Sequence, residues 1–282
     1  LDKPRDWRPL VYCWRGGQRS GAFTHILRQI GWDARRLEGG YKSWRRHVVE
    51  QLVTLPEQFS YRVVSGTTGS GKSRLLDALA AQGAQVLHLE QLAAHKGSVL
   101  GNLPGETQPS QKMFESRLFM ALRGLDPERP VFVEAESRRI GSVQLPDAML
   151  TAIRSSPGLR IEAGTAARVA FLLRDYDYFL ADPHWLIERL DLLRGLQANE
   201  TIDRWTTLIR AGEFRGLVGE LLERHYDPLY RRSQQKSHVG AGNSPLYATD
   251  DLSPAAIEGL ARTILAETDG NGLRRPHGAN SA

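Results

Sequence analysis

Residues 65–73 read Ser-Gly-Thr-Thr-Gly-Ser-Gly-Lys-Ser, so Gly66, Gly71, Lys72 and Ser73 satisfy the pattern G-x-x-x-x-G-K-[ST]. The β-rich run Tyr61 to Ser65 precedes the stretch and a helical pattern from about Ser73 to Ala81 follows it. In that context the backbone N–H groups of Gly66, Thr67, Thr68, Gly69, Ser70 and Gly71 turn inward on a phosphate, and the helix N-terminus adds partial positive charge. Lys72 would reach the terminal phosphates and the Ser73 hydroxyl would ligate Mg²⁺.

Working outward, strand-like runs at Gln85–Leu89, Val131–Val133 and Leu159–Ala163 alternate with helical patterns. One helix runs from about Ser110 to Arg123. Another is capped by Thr165 and carries Val169, Leu172, Leu173 and Tyr176 on its core face. This alternation predicts an α/β domain with a parallel sheet over residues 60–233. Segments 182–197, 202–211 and 214–226 read as a helical extension, and Asp227-Pro228 as a helix terminator followed by a turn. Residues 234–282, rich in Ser, Gln, Gly and Asn, read as a partly disordered tail with one short helix near 254–267. A phosphate site of this kind places a metal-holding acid at the end of a neighbouring strand. Here Glu134 and Glu136 follow Val131–Val133 on one side of the chain, Glu134 being the better placed; a solvated rim is the alternative.

The chain has 282 residues, 41% hydrophobic and 24% charged, which excludes simple disorder and allows two domains. Its 37 cations comprise 31 Arg and 6 Lys. That skew suits phosphate and base contacts, although a GC-rich genome produces it too. A single cysteine excludes a disulfide framework or a four-cysteine zinc site within one chain. No apolar run approaches the roughly 18 residues of a membrane span and no signal peptide is visible, so the default expectation is a cytoplasmic protein without membrane contact.

Residues 1–53 read as β-loop-α-β-α, with Phe23, Ile26, Leu27 and Ile30 on one helix face and Trp44, Val48 and Leu52 on another, and 54–60 as a linker. Two strands are too few for a self-standing parallel sheet, so the expectation is a domain whose N-terminal part lies outside this chain. Within it, residues 12–20 read Tyr-Cys-Trp-Arg-Gly-Gly-Gln-Arg-Ser. A cysteine at a strand end, five loop residues and then Arg19-Ser20 at a helix start make an anion cradle with a nucleophile, Cys13, at its floor. Arg15 and Arg19 favour the thiolate. The spacing Cys-x5-Arg fits a phosphatase as well as a sulfur-transferring rhodanese; the flank Gly39-Gly40-Tyr41-Lys42-Ser43-Trp44 resembles the segment that closes a rhodanese domain.

A rhodanese-type loop followed by a P-loop domain resembles the tRNA 2-selenouridine synthase family. Residues 12–20 and 66–73 carry the likeness, together with Leu89-Glu90, His95-Lys96-Gly97-Ser98, Gln108 to Lys112 with Phe114-Glu115, Glu136 to Gly141, and Tyr226-Asp227-Pro228. Departures stand at His88, where the family has an acid, which bears on metal use, and at Lys96, where it has an arginine. The resemblance implies the C-terminal portion of a rhodanese-like domain (1–53) joined to a P-loop domain, acting on 2-thiouridine at the wobble position of tRNA anticodons. Geranyl diphosphate would alkylate the sulfur, and selenium from selenophosphate would then displace the S-geranyl group. Carried onto this chain, Cys13 serves selenation with Arg15 and Arg19 cradling selenophosphate, and 66–73 holds the diphosphate. With only part of the rhodanese-like domain present, P-loop chemistry is expected to persist and selenation to be lost. No tightly bound cofactor is expected, and Mg²⁺ is a candidate ion at the phosphate loop.

Further candidates are Arg138 and Arg139 as clamps for tRNA phosphate or diphosphate, Gln111 and Lys112 at a helix start where an anion docks, and His95 as a general base. The alternative for Arg138 and Arg139 is a solvated loop, and for His95 simple loop packing. Tyr176 and Tyr178 either stack on exposed bases or pack a helix face. Two other readings remain open: a P-loop kinase or NTPase with a rhodanese-like regulatory or sulfurtransferase module, and a catalytically inactive tRNA-binding module.

Overall fold

The computed structural model describes residues 3–98, 100–236 and 244–270. Its elements run β1 (Leu10–Val11), α1 (Gln18–Gln29), β2 (Arg35–Arg36), α2 (Gly40–Thr54), β3 (Tyr61–Gly66), α3 (Lys72–Ala81), β4 (Gln85–Leu87), α4 (Leu89–Ala93), α5 (Gln111–Arg123) and β5 (Val131–Glu134). There follow a hairpin of β6 (Arg139–Ile140) and β7 (Val143–Gln144), then α6 (Asp147–Ser155), β8 (Gly158–Ala163), α7 (Thr165–Asp175), α8 (Asp177–Ala181), α9 (Pro183–Asp191), α10 (Asn199–Arg210), α11 (Phe214–Leu221), α12 (Asp227–Lys236), β9 (Leu246–Thr249) and α13 (Pro254–Gly270).

The main sheet has the order β4-β5-β3-β8-β9 and every pairing is parallel. This is the expected α/β architecture. Strand β3 lies at its centre because Tyr61, Val63 and Val64 are apolar on both faces, each at most 1% exposed, as a doubly covered strand requires. One face packs on α5, α6 and α2; the other packs on α3, α7 and α13. The phosphate loop therefore leaves the sheet at the carboxyl end of its central strand, where open parallel sheets hold ligands.

Four sequence expectations are corrected by packing. Residues 54–60 are not an open linker: α2 runs into a 3₁₀ turn at Leu55–Gln58, and Leu55, Pro56 and Phe59 are buried. With Val48 and Leu52 they join the core of the second domain, where Trp44 meets Phe119 edge-on. Residues 234–282 are not simply a tail: β9 adds to the sheet edge, and Ile257, Ala261 and Ile264 of α13 lie in the core beside α3. The portion beyond 270 lies outside the described residues. Asp227-Pro228 does not end a helix, because a π-helical segment, Leu222–Tyr226, joins α11 to α12. Of the four apolar residues expected on one face of α1 only Leu27 is buried, whereas Phe23, Ile26 and Ile30 are at least half exposed. A smaller point concerns α7, whose N-cap is Gly164 rather than Thr165.

Candidate active site

Lys72 arches back over its own loop and donates to the carbonyls of Gly66 (2.9 Å) and Thr67 (3.2 Å). Ser73 donates to Glu90 Oε2 at 2.9 Å. Gly66, Lys72, Ser73 and Glu90 line a cleft of about 360 Å³ together with Glu136, Lys96, Asp175, Tyr176, His225 and Tyr226. Charge in the cleft is mixed and poorly solvated. Burial lowers the Lys72 ammonium from its ordinary value. Burial likewise raises Glu90, and raises Glu136 further with added repulsion from Glu90 and Glu134. Opposite charge on an incoming ligand would relieve the ammonium.

The two acids after β5 divide their work. Glu134 is 1% exposed and its Oε2 accepts the backbone N–H of Leu89 at 3.0 Å, holding the start of α4. Burial pushes its carboxyl up to about 7. Glu136 is the one that faces the cleft, which reverses the preference for Glu134. Its partner there is Glu90: a Cβ on Gly97 would sit 2.9 Å from Glu90 Oε1 and 3.0 Å from Glu136 Oε1, so the two carboxylates close on a position only glycine leaves open. Two carboxylates and the Ser73 hydroxyl are hard oxygen donors of the kind that suit Mg²⁺, with phosphate oxygens completing the shell. Among the described residues no group of three or more His, Cys, Asp or Glu is gathered tightly enough to hold a metal alone.

Several predicted residues lie elsewhere. His95 is 4% exposed and both ring nitrogens are engaged: Nε2 with Asn102 Oδ1 at 3.0 Å and Nδ1 with the N–H of Gly97 at 3.1 Å. It shapes the Gly97 turn and has no nitrogen free to act as a base. Gln111 bonds across to β7 through both the N–H and the carbonyl of Gln144, and Lys112 is exposed on α5. Arg138 pairs with Asp147 and Arg139 donates to the Gly141 carbonyl at 2.7 Å. None of these four lines the cleft. Tyr176 and Tyr178 pack: Tyr176 stacks on Phe179 and carries Lys96 Nζ 3.8 Å above its ring.

Two contributors escape a sequence reading. Arg168, 4% exposed, donates through Nε to the Thr68 carbonyl of the phosphate loop (2.8 Å) and through both terminal nitrogens to Asp227 (3.1 and 2.6 Å). An arginine inside a helical pattern reads as a solvent residue, and nothing local marks it. Beside the cleft lies an apolar cavity of about 70 Å³, walled by residues such as Leu173, Phe179, Leu186, Phe214 and Leu217. It shares Thr68, Ser98, Leu172, Tyr176 and Tyr226 with the phosphate cleft.

The cysteine loop is a separate site, since no residue before Gly66 lines the cleft. Cys13 Sγ lies 3.2 Å from Ser20 Oγ, and that hydrogen bond, with the Ser20, Arg15 and Gly17 backbone, brings the thiol down to about 6. Tyr41 N–H donates to the Cys13 carbonyl (2.9 Å) and Lys42 N–H to that of Trp14 (3.0 Å). The backbones touch so closely that a Cβ on Gly40 would lie 2.1 Å from the Cys13 carbonyl oxygen, which explains Gly40, while one on Gly39 would lie 2.6 Å from Ser43 Cβ. Arg15 on this loop and Arg19 in the first turn of α1 are both exposed.

Compared with known proteins, residues 59–184 match the family model described as tRNA 2-selenouridine synthase AAA domain. Similar proteins named tRNA 2-selenouridine synthase include one from Nitrosomonas europaea, 37% identical over 60% of this chain and 44% of its own length. Another, from Marinobacter nauticus, is 31% identical over 85% of this chain and 72% of its own length. A third, from Bdellovibrio bacteriovorus, is 32% identical over 82% and 70% respectively. The chain spans under half the length of the Nitrosomonas relative and 45% of one from Alcanivorax borkumensis.

Proposed function

We propose, since the chain belongs to the tRNA 2-selenouridine synthase family, that its phosphate cleft holds geranyl diphosphate and transfers the geranyl group to the sulfur of 2-thiouridine in a tRNA anticodon. The observation that carries this reading is the shared wall: a polar cleft built on a phosphate loop opens beside an apolar cavity. A nucleotide would need polar partners for its base and ribose there. An isoprenoid needs none.

In the transfer, the thiouridine sulfur attacks C1 of the geranyl chain as the C–O bond to diphosphate breaks, and N3 of the base gives up its proton to solvent. The loop amides and Lys72 neutralise charge on the departing diphosphate, which is the main electrostatic demand of the step. Residues Ser73, Glu90 and Glu136 would hold Mg²⁺, which when bound would share that neutralisation. Walls from Leu172, Tyr176 and Tyr226 keep water from the allylic centre. Residues 1–53 supply a rhodanese-like loop, in which the Cys13 thiolate and the Arg15 and Arg19 guanidiniums serve the second step, replacement of S-geranyl by selenium from selenophosphate. The tRNA anticodon must then visit two separate sites.

Competition binding tests the reading. Geranyl diphosphate should bind the chain at least tenfold more tightly than inorganic pyrophosphate, because the apolar tail adds buried area. ATP binding more tightly than either would overturn it in favour of a nucleotide-consuming enzyme.

A further inference from the structure

His225 lines the phosphate cleft, is 2% exposed, and has no role in the transfer outlined above. It sits in the π-helical segment Leu222–Tyr226, a local widening of the helix often found at functional sites. Its tautomer follows from its neighbours. The Gln197 side-chain nitrogen donates to the Arg224 carbonyl at 3.2 Å and lies 3.2 Å from His225 Nδ1. Turning that amide over would set its oxygen against the Arg224 carbonyl, so the nitrogen faces the ring and Nδ1 must accept. The ring proton is therefore on Nε2, and Nε2 has no protein partner.

A buried donor without a partner is costly unless something arrives to accept from it. Its distance from the phosphate loop is also fixed: Asp227, two residues on, holds Arg168, and Arg168 holds the Thr68 carbonyl. Lys96, the second ammonium in the cleft, is already paired to Asp175 at 2.7 Å. A ligand bearing several anionic oxygens needs more donors than Lys72 and the loop amides provide.

We infer that His225 is a substrate-binding residue whose Nε2–H donates to an oxygen of the diphosphate held by the phosphate loop. The inference rests on the diphosphate reading above, and burial, which keeps the imidazole neutral, suits a donor of fixed tautomer.

The test uses the full chain labelled with ¹⁵N-histidine, titrated with inorganic pyrophosphate. The His225 Nε2 resonance, assigned by its loss in folded His225→Gln, should move on saturation; an unmoved resonance in pyrophosphate-bound parent protein overturns the inference. Affinity gives a second arm. His225→Gln places an amide N–H near the Nε2 position and should bind pyrophosphate within about twofold of the parent, whereas His225→Asn and His225→Phe should lose about tenfold. Equal affinity in all four proteins overturns the assignment. Movement only on adding a 2-thiouridine oligonucleotide also overturns it and assigns the donor to the acceptor base. If pyrophosphate moves the resonance while geranyl diphosphate binds no more tightly than pyrophosphate, the prenyl reading fails and the histidine assignment stands.

Discussion

Removing Asp227 should be far more damaging than its sequence setting suggests. The Arg168 side chain is 5% exposed and Asp227 19%, and the pair is joined by two hydrogen bonds. Asp227→Ala leaves a guanidinium buried with only the Thr68 carbonyl as partner, which costs about 3–5 kcal/mol. Arg168→Met costs less, about 2–3 kcal/mol, because the remaining carboxylate is partly solvated while the Thr68 carbonyl loses its donor. Replacing both with apolar groups, Arg168→Met with Asp227→Leu, removes the stranded charge, so urea midpoints of the double variant should recover most of the loss. Pyrophosphate affinity should not recover with it. The Thr68 carbonyl still lacks the donor that fixes the loop, and about five- to tenfold weaker binding by calorimetry should persist. Additive losses in the double variant, or Asp227→Ala within about 0.5 kcal/mol of the parent, would refute the coupling.

Three further outcomes are expected. In a longer form carrying the whole rhodanese-like domain, Lys72→Ala should abolish geranyl transfer in a nucleoside assay, whereas Cys13→Ala should abolish selenium incorporation and retain transfer; loss of both steps in both variants contradicts two separate sites. The rate of Cys13 alkylation by iodoacetamide should titrate with a midpoint of about 6, and Ser20→Ala should move it up towards the ordinary thiol value near 8.5; an unchanged midpoint denies Ser20 its part. Glu134 is raised in the folded state to about 7, so the folded protein binds its proton more tightly than the unfolded chain does. Its contribution is fully present below the unfolded carboxylate value and is lost as pH rises to about 7, an effect on the order of 3 kcal/mol. Glu134→Gln should flatten the fall of stability between pH 4.5 and 7, and an unchanged slope counts against the burial argument.

The parts of the site legible in the sequence are those whose chemistry is local. The run 65–73 shows its backbone turn, lysine and hydroxyl in nine consecutive letters, and Val131–Val133 announces a doubly covered strand. The Cys13 loop and Gly39-Gly40 are legible separately, and the structure adds why they occur together: their backbones touch. What stayed hidden depends on distant partners. Arg168 looks like any helical arginine until Asp227, 59 residues on, folds against it. Strand β9 is an edge strand with Leu246 and Ala248 exposed, set in a polar segment that composition assigns to a tail. Periodicity placed Phe23, Ile26 and Ile30 on one face of α1 but carries no information on whether anything covers that face. His95 fits the type of a general base, and only the positions of Asn102 and Gly97 show that both its nitrogens are spent.

The central claim is that the phosphate cleft and its apolar neighbour together transfer a prenyl group to tRNA sulfur. Incubation of the chain with 2-thiouridine-containing tRNA, geranyl diphosphate and Mg²⁺, followed by digestion and mass spectrometry of the nucleosides, measures this directly. The account predicts S-geranyl-2-thiouridine formed with one pyrophosphate per transfer and absent with Lys72→Ala. Unmodified 2-thiouridine under these conditions, with the protein folded and geranyl diphosphate bound, would contradict it.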